Sequence, residues 1–370
     1  MLEGVGLLEG RITLVTGASR GAGRGIAAAL GAEGATVYVT GRSERGSPAV
    51  PEFPHSVEDT ADEVTAAGGA GIPVVCDHTS DHQVEALFER IASDHGHLDV
   101  LVANAWGGYM PYAEHNDWFA QPFWEQSMDR WDGMFTAGLR SHLSTCLFGF
   151  PLLQAAGYGL AVLTTFTRGR RYLGNVFYDV SKNAVCRLVT DLAEESKETD
   201  LAIVGVSPGW MAVERMTGLA PRQEAEMEST TYIGRAIVAL ASDPAVSRRS
   251  GQTLPWATWR ASMASRTSTV DSRRLTSSSR RTAILRQHRH YGGALETRGV
   301  QPRDPRTRRA LSRGVDPPLV PWSRPLGSGR GGFCDRESAT VMQNGWPAPP
   351  AGVGPVLRRV VRMSQRLELA

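Results

Sequence analysis

The run "RITLVTGASRGAG", residues 11–23, constrains this chain more than any other stretch. A β-branched apolar segment closes on a glycine-rich turn and passes at once into "GRGIAAALGAEG", where alanines and Ile26 recur at helical spacing. A strand that feeds a helix with no hairpin between them is suited to parallel pairing through crossover helices. The pattern then repeats. "ATVYVTGR", "AGIPVVCD", "LDVLVANAW", "LAVLTTF" and "LAIVGVSPGW" read as further strands. Between them "SVEDTADEVTAAGG", "SDHQVEALFERIASDHG", "WDGMFTAGLRSHLSTCLFGFPLLQAAG" and "YDVSKNAVCRLVTDLAEESK" read as helices. The alternation predicts an α/β fold over residues 1–255, a Rossmann-type three-layer αβα doubly wound parallel sheet whose strands are apolar because helices cover both faces. Ligands of such sheets bind at the C-terminal strand ends.

The first of those ends carries Thr16, Gly17, Ser19, Arg20, Gly21, Ala22 and Gly23 in the pattern TGxxxGxG. Glycines at this spacing let a pyrophosphate approach backbone amides and the positive end of a helix. An ordinary glycine-rich turn is the bland alternative, and the position between strand and helix argues against it. The second strand ends on Arg42, where an acidic residue would suit the ribose 2′-hydroxyl of NAD. Arg42 and Arg20 can instead converge on a 2′-phosphate, so NADP (NADPH) is the expected cofactor. Tyr178 and Lys182 stand four residues apart and share one helix face. An ammonium beside a phenol favours phenolate, drawing tyrosine down from its reference value of about 10. Such a tyrosine can give a proton to a carbonyl oxygen or take one from an alcohol. The expected substrate is therefore a small-molecule carbonyl or alcohol.

TGxxxGxG at 16–23, "ANAW" after the fourth strand, YxxxK at 178–182 and "SPG" after the next strand occur in the order and spacing of the short-chain dehydrogenase/reductase (SDR) superfamily. The resemblance covers roughly residues 9–255, and within the superfamily it points to the dehydrogenase/reductase member-1 type and its bacterial relatives. It implies that Lys182 also binds the nicotinamide ribose, that Asp77 contacts adenine, and that Asn104, followed by Ala105, stabilises the fourth strand end. It places Pro208 and Gly209 at the cofactor. Where the family usually has a serine thirteen residues before the tyrosine, this chain has Thr165, which keeps the hydroxyl; Thr164 and Thr167 are substitutes if the loop is shifted. Two departures stand out: Gly138 at the position of the family's helix asparagine, and Val213 where a threonine commonly follows the "PG" turn. They leave open a cofactor-binding protein without turnover. The family also implies a homodimer or homotetramer. Of the aromatics from Trp106 to Trp131, most read as core or subunit contact, while Trp106 and Tyr109 lie at the ligand edge. The stretch from Met211 to Ile233 reads as a mobile substrate lid.

Charge divides the chain at about residue 255. Residues 1–255 carry 19 Lys+Arg against 31 Asp+Glu, net −12, and residues 256–370 carry 21 against 7, net +14. All 21 of those basic residues are arginine, amid abundant Pro, Gly and Ser and no hydrophobic period. Residues 256–370 are therefore expected to be a largely disordered tail, read best as a stretch translated out of frame. A basic arm that binds nucleic acid is the less favoured reading. Cys76, Cys146, Cys186 and Cys334 lack metal-ligand spacing, so no metal site is expected. With no apolar run near the roughly 18 residues of a membrane span and no basic leader, the expected setting is the cytoplasm, away from membranes.

Overall fold

A computed structural model describes residues 6–108, 121–214 and 227–255, all within the first of the two units, residues 1–294, into which the chain divides. The arginine-rich tail, Tyr109, Trp118 and Phe119 lie outside the described residues.

The alternating pattern folds as expected. In chain order the elements are β1 (Ile12–Val15), α1 (Gly21–Gly31), β2 (Thr36–Gly41), α2 (Val57–Ala66), β3 (Ala70–Val75), α3 (Asp81–His95) and β4 (Val100–Ala103). There follow α4 (Asp129–Trp131), a π-helical stretch (Asp132–Arg140) continuous with α5 (Ser141–Ala155), β5 (Leu160–Thr164), α6 (Val176–Glu195) and β6 (Ala202–Ser207). Helix α7 (Thr230–Ala241) and strand β7 (Thr253–Pro255) close the described part. The seven strands form one parallel sheet in the order β3-β2-β1-β4-β5-β6-β7. Strand order therefore reverses between β1 and β4, and the crevice outside their C-terminal ends is the natural ligand site.

Side chains alternate across each strand, so the two faces bury different residues of the same segment. On one face Val15, Val37, Val102, Val162 and Val204 pack under Ile26, Leu30, Val64 and Ile237 of α1, α2 and α7. On the other, Leu14, Leu101, Leu163 and Ile203 meet Val84, Phe88, Ile91, Leu153, Val185 and Val189 of α3, α5 and α6. Helix α2 starts where Ser56 and Asp59 cap each other's backbone, a reciprocal arrangement visible in "SVED". Among the described residues no helix is long and apolar enough to cross a membrane.

Of the aromatics read as core or subunit contact, Phe123, Trp124 and Trp131 are exposed on the single chain, Trp124 at 80%, which leaves subunit contact as their reading. Of the stretch from Met211 to Ile233 read as a mobile substrate lid, residues 215–226 lie outside the described residues; at its described ends Met211 forms a bridge with Glu228, and α7 begins at Thr230.

Two histidines are buried uncharged in this frame. His78 follows β3, with Nε2 2.8 Å from Thr40 Oγ1 and Nδ1 3.3 Å from Thr145 Oγ1. Burial pushes it down to about 4, with a smaller push from His142 and an opposing pull from Asp77. The folded value lies below the ordinary 6.5, so the unfolded chain takes the proton first, and the stability is present above pH 6.5 and lost as pH falls through 4. Urea denaturation across that range is expected to show the parent losing on the order of 3 kcal/mol more than His78→Gln; parallel pH profiles would contradict this.

Candidate active site

Three strand ends meet at the reversal point, and one asparagine joins them. Asn104, directly after β4, donates its backbone N–H to Thr16 Oγ1 at 2.8 Å. Its Nδ2 donates to the carbonyl oxygens of Thr16 (3.0 Å) and Gly17 (3.2 Å), and its Oδ1 accepts from Thr164 Oγ1 at the end of β5 (3.2 Å). Thr16 Oγ1 also accepts from the Ala105 N–H at 2.9 Å. The glycine loop lies so close that a Cβ on Gly17 would stand 2.8 Å from the Cα of Ala105.

Beyond this clamp the loop turns into α1 at Gly21, whose φ of +59° suits glycine. Arg20 precedes it in extended conformation and supplies no side-chain cap. The first-turn amides are thus left for an outside acceptor, and an anion suits the helix end. The Gly21 N–H faces the carboxylate of Glu214, 3.1 Å and 3.0 Å from its two oxygens. A carboxylate from a loop beyond β6 thus sits at the start of α1, where the helix dipole favours negative charge. Val213 stands over the same point, 3.6 Å from where a Gly21 Cβ would be.

The rest of the expected cofactor set lies on the same edge of the sheet. Ser19 is nearly buried, and Ala22 and Gly23 form the first turn of α1. Arg42 is exposed at the end of β2, while the Arg20 guanidinium lies 5.3 Å above the Phe53 ring. Asp77 accepts from the Thr79 N–H (2.9 Å) and hydroxyl (2.8 Å), an ordinary turn at the end of β3. Pro208 and Gly209 follow β6, and the Gly209 N–H donates to Glu228 at 3.3 Å.

Tyr178 and Lys182 occupy the first turns of α6. The helix starts there because Asn175, fully buried, accepts from the Tyr178 N–H at 3.1 Å. This cap went unread in the sequence, although an asparagine directly before a helical pattern is the usual N-cap signature. The Tyr178 ring meets Trp106 edge to face at 5.9 Å and Phe166 at 6.2 Å. Lys182 is 8% exposed, and its Nζ lies 5.8 Å from the centre of the Tyr178 ring. Burial pushes the ammonium down to about 7, with Cys186 opposing. Thr165 is buried and turned toward the helix, its hydroxyl donating to the Lys182 carbonyl at 2.7 Å. Thr164 is committed to Asn104, and Thr167 accepts from the Gly169 N–H at 3.1 Å. Among the described residues no cluster of His, Cys, Asp and Glu is suited to hold a metal ion.

A glycine loop at the reversal point of a seven-stranded parallel sheet, with Tyr178 and Lys182 on a helix beside it, defines a class of protein, and the comparisons agree. Residues 11–224 match the short chain dehydrogenase family, and the chain belongs to it. It is an oxidoreductase of a family that uses nicotinamide cofactors. It is 34% identical over 263 residues to "Dehydrogenase/reductase SDR family member 1" of Mus musculus, covering 67% of this chain and 80% of the relative. Two solved structures share the fold. A short chain dehydrogenase from Burkholderia cenocepacia J2315 in complex with NADP has a TM-score of 0.55 at 23% identity, covering 67% of this chain and 97% of that one. A 7α-hydroxysteroid dehydrogenase complexed with NADH and 7-oxo glycochenodeoxycholic acid has a TM-score of 0.57 at 24% identity, covering 70% and 97%.

The Asn104 clamp makes a testable demand on stability. Asn104→Leu strips the donor from two carbonyls and the acceptor from Thr164, and is expected to cost about 2–4 kcal/mol in chemical denaturation. A loss under about 1 kcal/mol would show that the three strand ends do not depend on it.

Proposed function

We propose that the chain is an NADP(H)-dependent oxidoreductase of the carbonyl reductase or alcohol dehydrogenase type, with Tyr178 as proton donor and acceptor. The observation that carries this reading is the α6 face on which Tyr178 and Lys182 meet Trp106 and Thr165, residues that follow the ends of β4 and β5 beside the anion cradle. Thr16, Gly17, Ser19, Arg20, Gly21, Ala22 and Gly23 would hold the pyrophosphate, with Asn104 and Ala105 fixing the loop. Arg42 and Arg20 would hold the 2′-phosphate, Asp77 the adenine, Pro208 and Gly209 the nicotinamide side, and Lys182 the ribose hydroxyls. When bound, the nicotinamide supplies or takes up the hydride.

The chain's own residues manage the proton. The Tyr178 hydroxyl gives its proton to the carbonyl oxygen in reduction and takes one from the alcohol in oxidation. A charged Lys182 favours the phenolate left behind. The Thr165 proton is spent on the Lys182 carbonyl, so donation to a substrate oxygen requires the side chain to rotate. Trp106 and Phe166 flank Tyr178 and give an apolar wall to a small carbonyl compound. A homodimer or homotetramer through α5 and α6 is supported by Leu143, Leu147 and Val180, all of them exposed.

Two substitutions test the reading. Tyr178→Phe is expected to leave NADPH binding nearly intact and to lower NADPH-dependent carbonyl reduction by roughly 100-fold or more; retention of above about a tenth of the rate removes Tyr178 from the role. Arg42→Asp sets a carboxylate against the 2′-phosphate and is expected to move preference from NADPH toward NADH. Competitive titration that finds the preference unchanged would show that another group reads the phosphate.

A further inference from the structure

Lys182 is buried, with 8% of its surface exposed, yet among the described residues no carboxylate pairs with its ammonium and no hydrogen bond from Nζ is made. The titratable groups around it are Tyr178 and Cys186 on its own helix and His142 on α5. His142 brings no charge. Its Nδ1 lies 2.8 Å from the Gly138 carbonyl, and burial, with the Lys182 charge adding, pushes it down to about 4. What does meet the ammonium is an aromatic face: Nζ lies 3.5 Å from the centroid of the Trp106 ring, well inside the distance at which a cation is attracted to an indole.

The indole has this position because two glycines leave room for it. A Cβ on Gly138 would stand 2.7 Å and 2.8 Å from Cζ3 and Cε3 of Trp106, and one on Gly108 would stand 2.5 Å and 2.6 Å from Cζ2 and Cε2. Gly138 sits in the π-helical stretch ahead of α5, so the helix distortion and the missing side chain occur where the ring lodges. Any larger residue at 138 and this placement of the indole exclude one another.

We propose that Trp106 is a positioning residue of the proton-transfer site, its π face seating the Lys182 ammonium beside Tyr178 in the space that Gly138 and Gly108 leave open. The proposal rests on the reading of Tyr178 and Lys182 as the proton-transfer pair. Burial alone favours the neutral amine, whereas the indole favours the ammonium and fixes where it lies. Trp106 acts through Lys182, so its effect appears first in the lysine's titration.

The chain makes that titration readable because it contains two lysines, Lys182 and Lys197. Labelling the lysine side chains with 13C and 15N gives two signals to follow by NMR against pH. Lys197, exposed and 2.6 Å from Glu194, serves as the internal reference. Trp106→Leu is expected to lower the Lys182 pKa by at least about one unit, with Trp106→Phe in between and Lys197 unmoved. Full-length protein made with 6-fluorotryptophan keeps the ring's shape while thinning its π density, and there too Lys182 is expected to titrate lower. A Lys182 pKa that is unchanged or raised in both the Leu variant and the fluorinated protein overturns the proposal. The titration needs neither cofactor nor turnover, so failure of the oxidoreductase reading, seen as a parent protein that oxidises no NADPH with any carbonyl, is registered separately.

Discussion

The C-terminal edge of the sheet depends on the Asn104 side chain, which uses both its donor and its acceptor function to hold β1, β4 and β5 in one frame. Parallel strands set the spacing of their ends, but the loops that leave them need a further constraint. Asn104 supplies it on the strand beside the reversal point, where the glycine loop, the turn to Trp106 and the start of the Thr165 segment all emerge. Each of those segments carries part of the proposed chemistry. A hydrogen-bonded network whose members satisfy one another has a single good arrangement, so positions fixed at this point are inherited by the loops.

Electrostatics then divides the edge into two environments. At the α1 end, exposed amides and the helix dipole favour an anion, and the Glu214 carboxylate is found there. Under the proposed function a pyrophosphate claims the same Gly21 amide, so the two compete. The Glu214 loop has an anchored base: the Ala212 N–H donates to the Glu228 carbonyl at 2.8 Å and the Glu228 N–H to the Trp210 carbonyl at 2.7 Å. At the α6 end the opposite problem arises, because Lys182 must carry its charge where burial pushes it down to about 7. An aromatic face rather than a carboxylate meets it, which leaves the lysine's charge available to the neighbouring phenol.

How much of this could be read in the sequence follows from which features are local. Strand and helix periods of β1 to β6 were legible because each element is long enough to show its pattern and is buried as that pattern demands. Strand β7 has three residues and ends on Pro255, too short to show alternation. Helix α7 opens on two threonines and contains Gly234, which weakens its helical signal; a Cβ there would stand 2.5 Å from Ala29, so the glycine serves the contact with α1. Among site residues, the family resemblance pointed to Thr165 but could not tell that its hydroxyl turns into the Lys182 backbone. Glu214 and His142 carried no local signal at all, since each becomes relevant only when a distant segment folds against it. Trp106 was legible as a ligand-edge aromatic, and its contact with Lys182 was not, because that contact depends on the gap at Gly138.

Under the proposed function the edge defined by β1, β4 and β5 is a dinucleotide site with Tyr178 and Lys182 at its reactive end. A crystal structure of the full chain with NADPH bound tests it most directly. The expected result is pyrophosphate density at the Gly21 amide with the Glu214 carboxylate displaced, and the nicotinamide beside Tyr178. Cofactor density elsewhere on the molecule, with Glu214 still on Gly21, would contradict it.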